Sequence, residues 1–271
     1  MSNFPCEVLD HIVDLLHGSQ IPLRNCCLVS KSWIPRTRRH LFAEVDFSTA
    51  KSLQSWRKTF PDPSTSPARY TKHLFIGCPQ EVAAADAEAD GWIPSFSRVE
   101  HLRLGSWDVI TDRWRATFVL LRTFSPVVKS LNAEFYYVSF WHFFDLAFSF
   151  PLLEDLAVCG HHDVPANNDG DSDGSSAIDQ PSSPPVLTGT LELYSSSGMV
   201  PIIHRLLFLP SGIHFRKLIQ KWFREGDIPL TMTLVQKCSH TLESLDITCN
   251  TAFRTSIGPL RPHGSDFFFC W

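Results

Sequence analysis

The sequence predicts an α/β protein, with a short helical module at the N-terminus followed by strands and helices in alternation, wound as a solenoid. Two observations carry this reading. Residues 4–42 hold three short apolar helical runs punctuated by proline and glycine. The remainder repeats one apolar pattern, of the form L-x-x-L-x-L, seven times at nearly constant spacing.

Phe4-Pro5 opens the first helix, because proline at a first helical position lacks only an N–H that would have no helical partner. Val8, Ile12, Leu15 and Leu16, with Leu9 beside them, form one apolar stripe, while Glu7, Asp10 and Asp14 fall mostly elsewhere. Gly18 supplies the stop. Pro22 opens a second helix carrying Leu23, Cys26, Cys27 and Val29. A third run carries Trp33, Leu41 and Phe42 among Lys31, Arg36, Arg38 and Arg39. The first fifty residues hold five Lys/Arg and five Asp/Glu, so the basic run is a solvated helix face and not a phosphate site. Three such helices cannot bury a core alone and need a partner or the rest of the chain.

This segment resembles an F-box. The family's Leu-Pro-x-Glu opening stands here as Phe4-Pro5-Cys6-Glu7, its Leu-Val-Ser-Lys-x-Trp core as Leu28 to Trp33, and His40-Leu41-Phe42 follows. Phenylalanine replaces the usual leucine at position 4 and still fills an apolar pocket. In that family the module, here residues 1–48, binds a Skp-type adaptor and through it a cullin-RING ubiquitin ligase. The resemblance therefore implies adaptor contacts from Phe4, Pro5, Val8, Leu9, Ile12, Leu28, Val29 and Trp33. Periodicity by itself also fits a helical cap on the following domain.

Residues 49–70, with Pro61, Pro63 and Pro67, read as a segment joining this module to the first repeat. The seven copies within 71–255 are Thr71-Leu74-Ile76, Val99-Leu102-Leu104, Val128-Leu131-Ala133, Leu153-Leu156-Val158, Thr188-Leu191-Leu193, Phe215-Leu218-Gln220 and Leu242-Leu245-Ile247. Their central leucines lie 28, 29, 25, 35, 27 and 27 residues apart. Five of these intervals fit the roughly 20–29 residues of leucine-rich repeats. Several connectors change to helical period: Trp114, Phe118 and Leu121; Phe140, Phe143, Phe144 and Ala147; and the run from Pro201 through Ile203, Leu206 and Leu207. Strand then helix at a fixed period implies a curved solenoid, strands concave and helices convex. The section resembles the irregular leucine-rich repeats that commonly follow an F-box. Asparagine is mostly missing from its usual place, and three copies lack leucine or valine at the first apolar site. An ordinary α/β domain with unrelated strands is the alternative.

The 35-residue interval contains residues 161–185, in which Asp163, Asp169, Asp171, Asp173 and Asp179 occur with no lysine or arginine. That composition cannot offset chain entropy by burial, which predicts a disordered loop in place of one connector helix. Residues 256–271 form a tail. Its Phe267, Phe268, Phe269 and Trp271 either fold back over the last repeat or mark a shortened chain.

Alternation along a strand sends Leu102 and Leu104 inward and His101, Arg103 and Gly105 outward. The same rule exposes His73, Phe75, Asn132, Asp155, Glu192, Tyr194, Lys217 and Asp246. With His101 and Arg103, these residues make the candidate target-binding face.

Catalytic and metal chemistry is not expected. Asp169 to Gly174 starts like a calcium loop, but position twelve is Gln180 where a bidentate glutamate is required. Cys159, His161 and His162 lack the second ligand pair of a zinc site. No serine elbow, H-E-x-x-H helix or glycine-rich phosphate loop occurs, so no catalytic residue and no cofactor is assigned. An enzyme would need a nucleophile and base that the sequence does not display. A net charge of -4 argues against nucleic acid and anionic membranes as partners. No run of eighteen apolar residues predicts a membrane span, and the N-terminus lacks a basic run leading into an apolar one. Eight scattered cysteines without C-x-x-C spacing fit a reducing compartment, cytoplasm or nucleus. The function expected from the resemblance is substrate recognition for an SCF-type ubiquitin ligase, with an unidentified protein target. The alternative is a non-catalytic leucine-rich-repeat scaffold acting outside ubiquitin ligation.

Overall fold

The computed structural model describes residues 5–87, 91–107, 114–124, 126–136, 140–161, 186–195, 200–209, 212–223 and 225–249. Pro5 precedes helix α1 (Cys6–Leu15), and a turn through Gly18 leads into α2 (Gln20–Val29). A 3-10 turn over Lys31–Trp33 follows, and the Ser30 hydroxyl accepts the Ser32 N–H at its start. It runs into α3 (Ile34–Leu41), against which α1 and α2 both pack.

From there the chain alternates. Strands β1 (Glu44–Phe47), β2 (His73–Ile76), β3 (His101–Trp107) and β4 (Ser130–Tyr136) are separated by helices α4 (Ala50–Thr59), α5 (Pro79–Ala87) and α6 (Trp114–Arg122). Helix α7 (Phe140–Phe148) leads to β5 (Asp155–His161), and β6 (Thr190–Ser195), α8 (Val200–Leu207), β7 (Lys217–Phe223), α9 (Ile228–Cys238) and β8 (Ser244–Cys249) complete the series. Every strand pairs in parallel with the next, so spatial order equals chain order.

The apolar repeat sets the register. Val45, Leu74, Leu102, Leu131, Leu156, Leu191, Leu218 and Leu245 lie opposite one another in a single row across all eight strands. A second row two residues on runs from Phe47 through Ile76, Leu104, Ala133, Val158 and Leu193 to Gln220 and Ile247. A slip of one residue would turn both rows to the other face, which is why a pattern of period two specifies the pairing so strongly. Both rows point into one core with Leu53 of α4, Val82 of α5, Leu121 of α6, Phe143 of α7, Ile203 of α8 and Leu234 of α9. Each fully buried leucine or phenylalanine contributes about 2 kcal/mol of transfer free energy.

The N-terminal edge of the sheet is tied separately. The N–H of Glu100 donates to the Lys72 carbonyl at 2.9 Å, that of Lys129 to Glu100 at 2.8 Å, and that of Glu154 to Lys129 at 2.8 Å. The first residue before each of these strands is thereby held at strand spacing from its neighbour.

Three expectations change. The sheet is open, with β1 and β8 at its edges, and is not curled into a concave solenoid. Regular curling needs the same wedge at each repeat, whereas these connectors carry helices of 8 to 11 residues, some with extra 3-10 turns and some without. Residues 49–70 are not only a joining segment, because they hold α4, whose Thr49–Ser52 capping box starts it and whose buried Leu53 anchors it. Strand β1 adds an eighth member to the seven recognised copies. Of the acidic segment, residues 162–185 lie outside the described residues, as does the tail 256–271. Among the described residues no helix is long and apolar enough to cross a membrane.

Candidate functional site

Two surfaces carry the residues singled out by the sequence. The first is the helical module. Helix α1 turns Val13 inward, where it is buried, and turns Val8, Ile12 and Leu15 out to solvent. Three of the five residues of the expected stripe, Val8, Ile12 and Leu15, thus face solvent, while Leu9 and Leu16 are half-buried. Its orientation has an electrostatic cause: Asp14 accepts from Arg36 Nε at 2.7 Å and from a second N–H of the same guanidinium, and lies 2.7 Å from His40 Nε2. The Arg36 fork, with His40, holds the Asp14 carboxyl far below the usual carboxylate range. This clamp fastens the Asp14 side of α1 to α3 and leaves the Val8–Ile12 side open.

Helix α2 repeats the arrangement. Leu23 and Cys26 are buried, whereas Leu28 is 86% exposed and Val29 68%. Of the eight expected adaptor contacts, Val8, Ile12, Leu28 and Val29 are exposed apolar groups, Pro5 is exposed, and Leu9 and Trp33 are half-buried. Phe4 lies outside the described residues. Leu15 and Ile21, exposed at 70% and 73%, extend the apolar surface and were not singled out from the motif. Their helical spacing from Val8 and Leu28 was the available signal.

The second surface is the sheet face opposite the helices. Nine of the ten residues of the candidate target-binding face, His73, Phe75, His101, Arg103, Asn132, Asp155, Glu192, Tyr194 and Lys217, adjoin a buried residue in the strand, and Asp246 lies between the half-buried Leu245 and Ile247. Three groupings form among them. His73 and His101 stack with ring centroids 4.3 Å apart. Arg103 lies 5.1 Å from the Phe75 ring centroid and donates to Glu134 at 2.8 Å. Tyr194 donates to Glu192 at 2.9 Å, and Lys221 stands 5.6 Å from the Tyr194 ring centroid. Burial and the Glu192 carboxylate push the Tyr194 phenol up to about 12, so it stays a neutral donor.

Asp155 serves the fold more than the surface. Its Oδ1 accepts the Thr190 N–H at 2.5 Å, and a Cβ at Gly189 would sit 2.2 Å from that oxygen. Gly105, expected to face outward, is buried, since its α-carbon lies against the Gly77 backbone. Sequence reasoning missed Glu134, one alternation beyond Asn132, and Cys159 and Lys221, two alternations beyond Asp155 and Lys217 on the same face, although period two carried further along each strand would have reached them. The Cys159 thiol is pushed up by burial and by Glu134 and is therefore protonated at neutral pH. Cys26 and Cys238 are buried and unpaired, as a small apolar side chain would be. Among the described residues no three histidine, cysteine or acidic side chains converge in a way that could hold a metal ion.

The geometry therefore offers exposed apolar groups on α1 and α2 of a clamped helical module and one polar, cross-linked sheet face. Comparison with family models, with curated proteins and with solved structures finds no match.

Proposed function

We propose that the chain is the substrate-recognition subunit of an SCF-type cullin-RING ubiquitin ligase. In this reading α1 to α3 are an F-box that docks a Skp-type adaptor. The strand–helix units are irregular leucine-rich repeats whose free face holds a target protein. No catalytic residue is required of the chain, because holding the target beside a charged ubiquitin-transfer enzyme raises its effective concentration.

The observation that carries the reading is the outward turn of Val8, Ile12, Leu28 and Val29 within the segment that resembles the F-box motif. A cap serving only this domain would turn its apolar stripe inward, where each square ångström removed from water is worth about 25 cal/mol. α1 instead turns Val8, Ile12 and Leu15 of that stripe to solvent. Several exposed apolar groups on neighbouring short helices point to a surface that a partner covers.

The test is co-purification with a Skp-type adaptor. Wild type is compared with a Val8→Asp, Leu28→Asp variant and with a Lys217→Glu variant on the sheet face. Both helical substitutions are at exposed sites, so circular dichroism should be unchanged. Capture of wild type and Lys217→Glu, with loss in the helical variant, supports the reading. Failure of folded wild type to capture the adaptor removes it.

A further inference from the structure

A groove of about 740 Å³ runs along the N-terminal ends of β2 to β4, between that sheet edge and α3. Five cations line it: Arg39 from α3, Arg69 and Lys72 ahead of β2, Arg98 ahead of β3, and Lys129 ahead of β4. One carboxylate, Glu100, answers them. In a chain whose net charge is -4, this is a local reversal of sign.

The cations are only partly satisfied. Lys72 and Lys129 share Glu100 at 3.6 and 3.2 Å. Arg69 donates to the Tyr70 hydroxyl at 2.9 Å and lies 4.9 Å from its ring centroid, with no carboxylate partner among the described residues. Arg39 and Arg98 are exposed and have no ion-pair partner among the described residues. The floor between them is apolar, formed by Ala43, Val127 and the half-exposed Leu152.

We infer that this groove binds a short acidic peptide in extended conformation. The spacing supports a chain over a compact anion. Lys72, Glu100 and Lys129 sit immediately ahead of successive strands, about 4.8 Å apart in the pairing direction, so the two lysines are separated by roughly 10 Å. A peptide lying across the strand ends presents side chains to one side about every 7 Å, and the flexible stems of the lysines and arginines bridge the difference. Acidic side chains meet the guanidinium and ammonium groups, and intervening aliphatic ones cover Val127 and Leu152. Nucleic acid fits less well, because the two rings that line the groove are engaged, Tyr70 by Arg69 and His40 by Asp14, and the aliphatic residues between the cations offer bases no polar partner. The inference is independent of the adaptor reading, since the groove lies on neither the exposed rows of α1 and α2 nor the free sheet face.

The experiment is fluorescence polarisation on the full chain with a labelled peptide of alternating glutamate and leucine, about eight residues long. A glutamine–leucine peptide of equal length is the comparison. The acidic peptide should bind at least about tenfold more tightly, and higher salt should weaken it. The Arg39→Glu, Arg98→Glu variant should lose about tenfold or more, while Lys237→Glu, at an exposed position on α9, binds as wild type. Arg98→Gln, a milder change, should lose several-fold with an unaltered circular dichroism spectrum. Equal binding of both peptides, no binding by folded wild type, or no loss in the double variant would overturn the inference. So would a short single-stranded RNA of matched charge that binds as tightly as the peptide.

Discussion

His73 and His101 occupy the same register on neighbouring parallel strands and stack their rings 4.3 Å apart at an interplanar angle of 4°. Partial burial, then the neighbouring His73, lowers the affinity of His101 for a proton, against smaller opposing effects of Glu100 and Asp155. The unfolded chain takes up a proton near pH 6.5 that the folded His101 refuses, so this pair costs stability as pH falls below about 6.5. Above that range both states are neutral and the cost vanishes. Urea midpoints at pH 7.5 and 5.5 should therefore differ more for wild type than for His101→Gln. An identical difference in the two proteins would show that the stack has no part in it.

Asp14 contributes with the opposite sign. Its folded affinity for protons is depressed by Arg36 and His40, so the stability it contributes is fully present above the ordinary carboxylate range and declines as pH falls below about 4, while the folded carboxylate itself stays ionised well below that pH. Asp14→Asn should release α1 from α3 at neutral pH. Amide exchange should quicken in α1 while the β3–β5 amides keep their protection. Arg36→Lys should produce part of the same effect, because an ammonium cannot reproduce the two-pronged contact. Unchanged exchange in α1 would mean that Val13 packing alone holds the helix.

The regular parts of the fold were legible because one physical rule, a buried leucine every 25 to 35 residues, generates both the strands and their register. β1 obeys the rule with other side chains. Phe42, Val45 and Phe47 have the same spacing, and Val45 precedes Leu74 by 29 residues, but aromatic residues stand where the pattern asks for leucine. Helix α5 escaped for a different reason: its buried face is largely Val82, Ala83 and Ala85, and alanine carries little periodic signal. The outward face followed from alternation, yet its pairings did not. Arg103 meets Glu134 31 positions away, a contact set by strand order. The basic groove was hidden altogether, since residues 39, 69, 72, 98 and 129 form no run in the sequence.

Gln220 breaks the inward apolar row. It lies between Leu193 and Ile247, is wholly buried, and neither its amide oxygen nor its nitrogen has a hydrogen-bond partner among the described residues. A buried amide without a partner costs about 1–3 kcal/mol. Leucine has nearly the same reach and no polar atom to desolvate. Gln220→Leu should raise stability by about 1–3 kcal/mol, read as a higher urea midpoint with unchanged slope. A lower midpoint would indicate that the amide is satisfied in solution.

Ser48, Gly77 and Gly105 bring three backbones together at the C-terminal ends of β1, β2 and β3. A Cβ at Gly77 would stand 2.5 Å from the Ser48 carbonyl oxygen, and one at Gly105 would stand 2.6 Å from that of Gly77. Both obstacles are backbone, so neither can swing aside as a side chain would. Gly77→Ala and Gly105→Ala should each cost about 1–3 kcal/mol by overpacking, whereas Gly18→Ala, with open space around it, serves as the control. The two clashes are also directional. Alanine at 77 drives that strand end away from Ser48 and toward Gly105, and this is the side on which alanine at 105 needs room. Relief of one clash therefore aggravates the other, and the double variant should lose more than the two single losses combined. A double-mutant cycle by urea unfolding measures this coupling directly. An additive cycle would mean that the strand ends separate independently, and a sub-additive one that a single shift of β2 relieves both contacts.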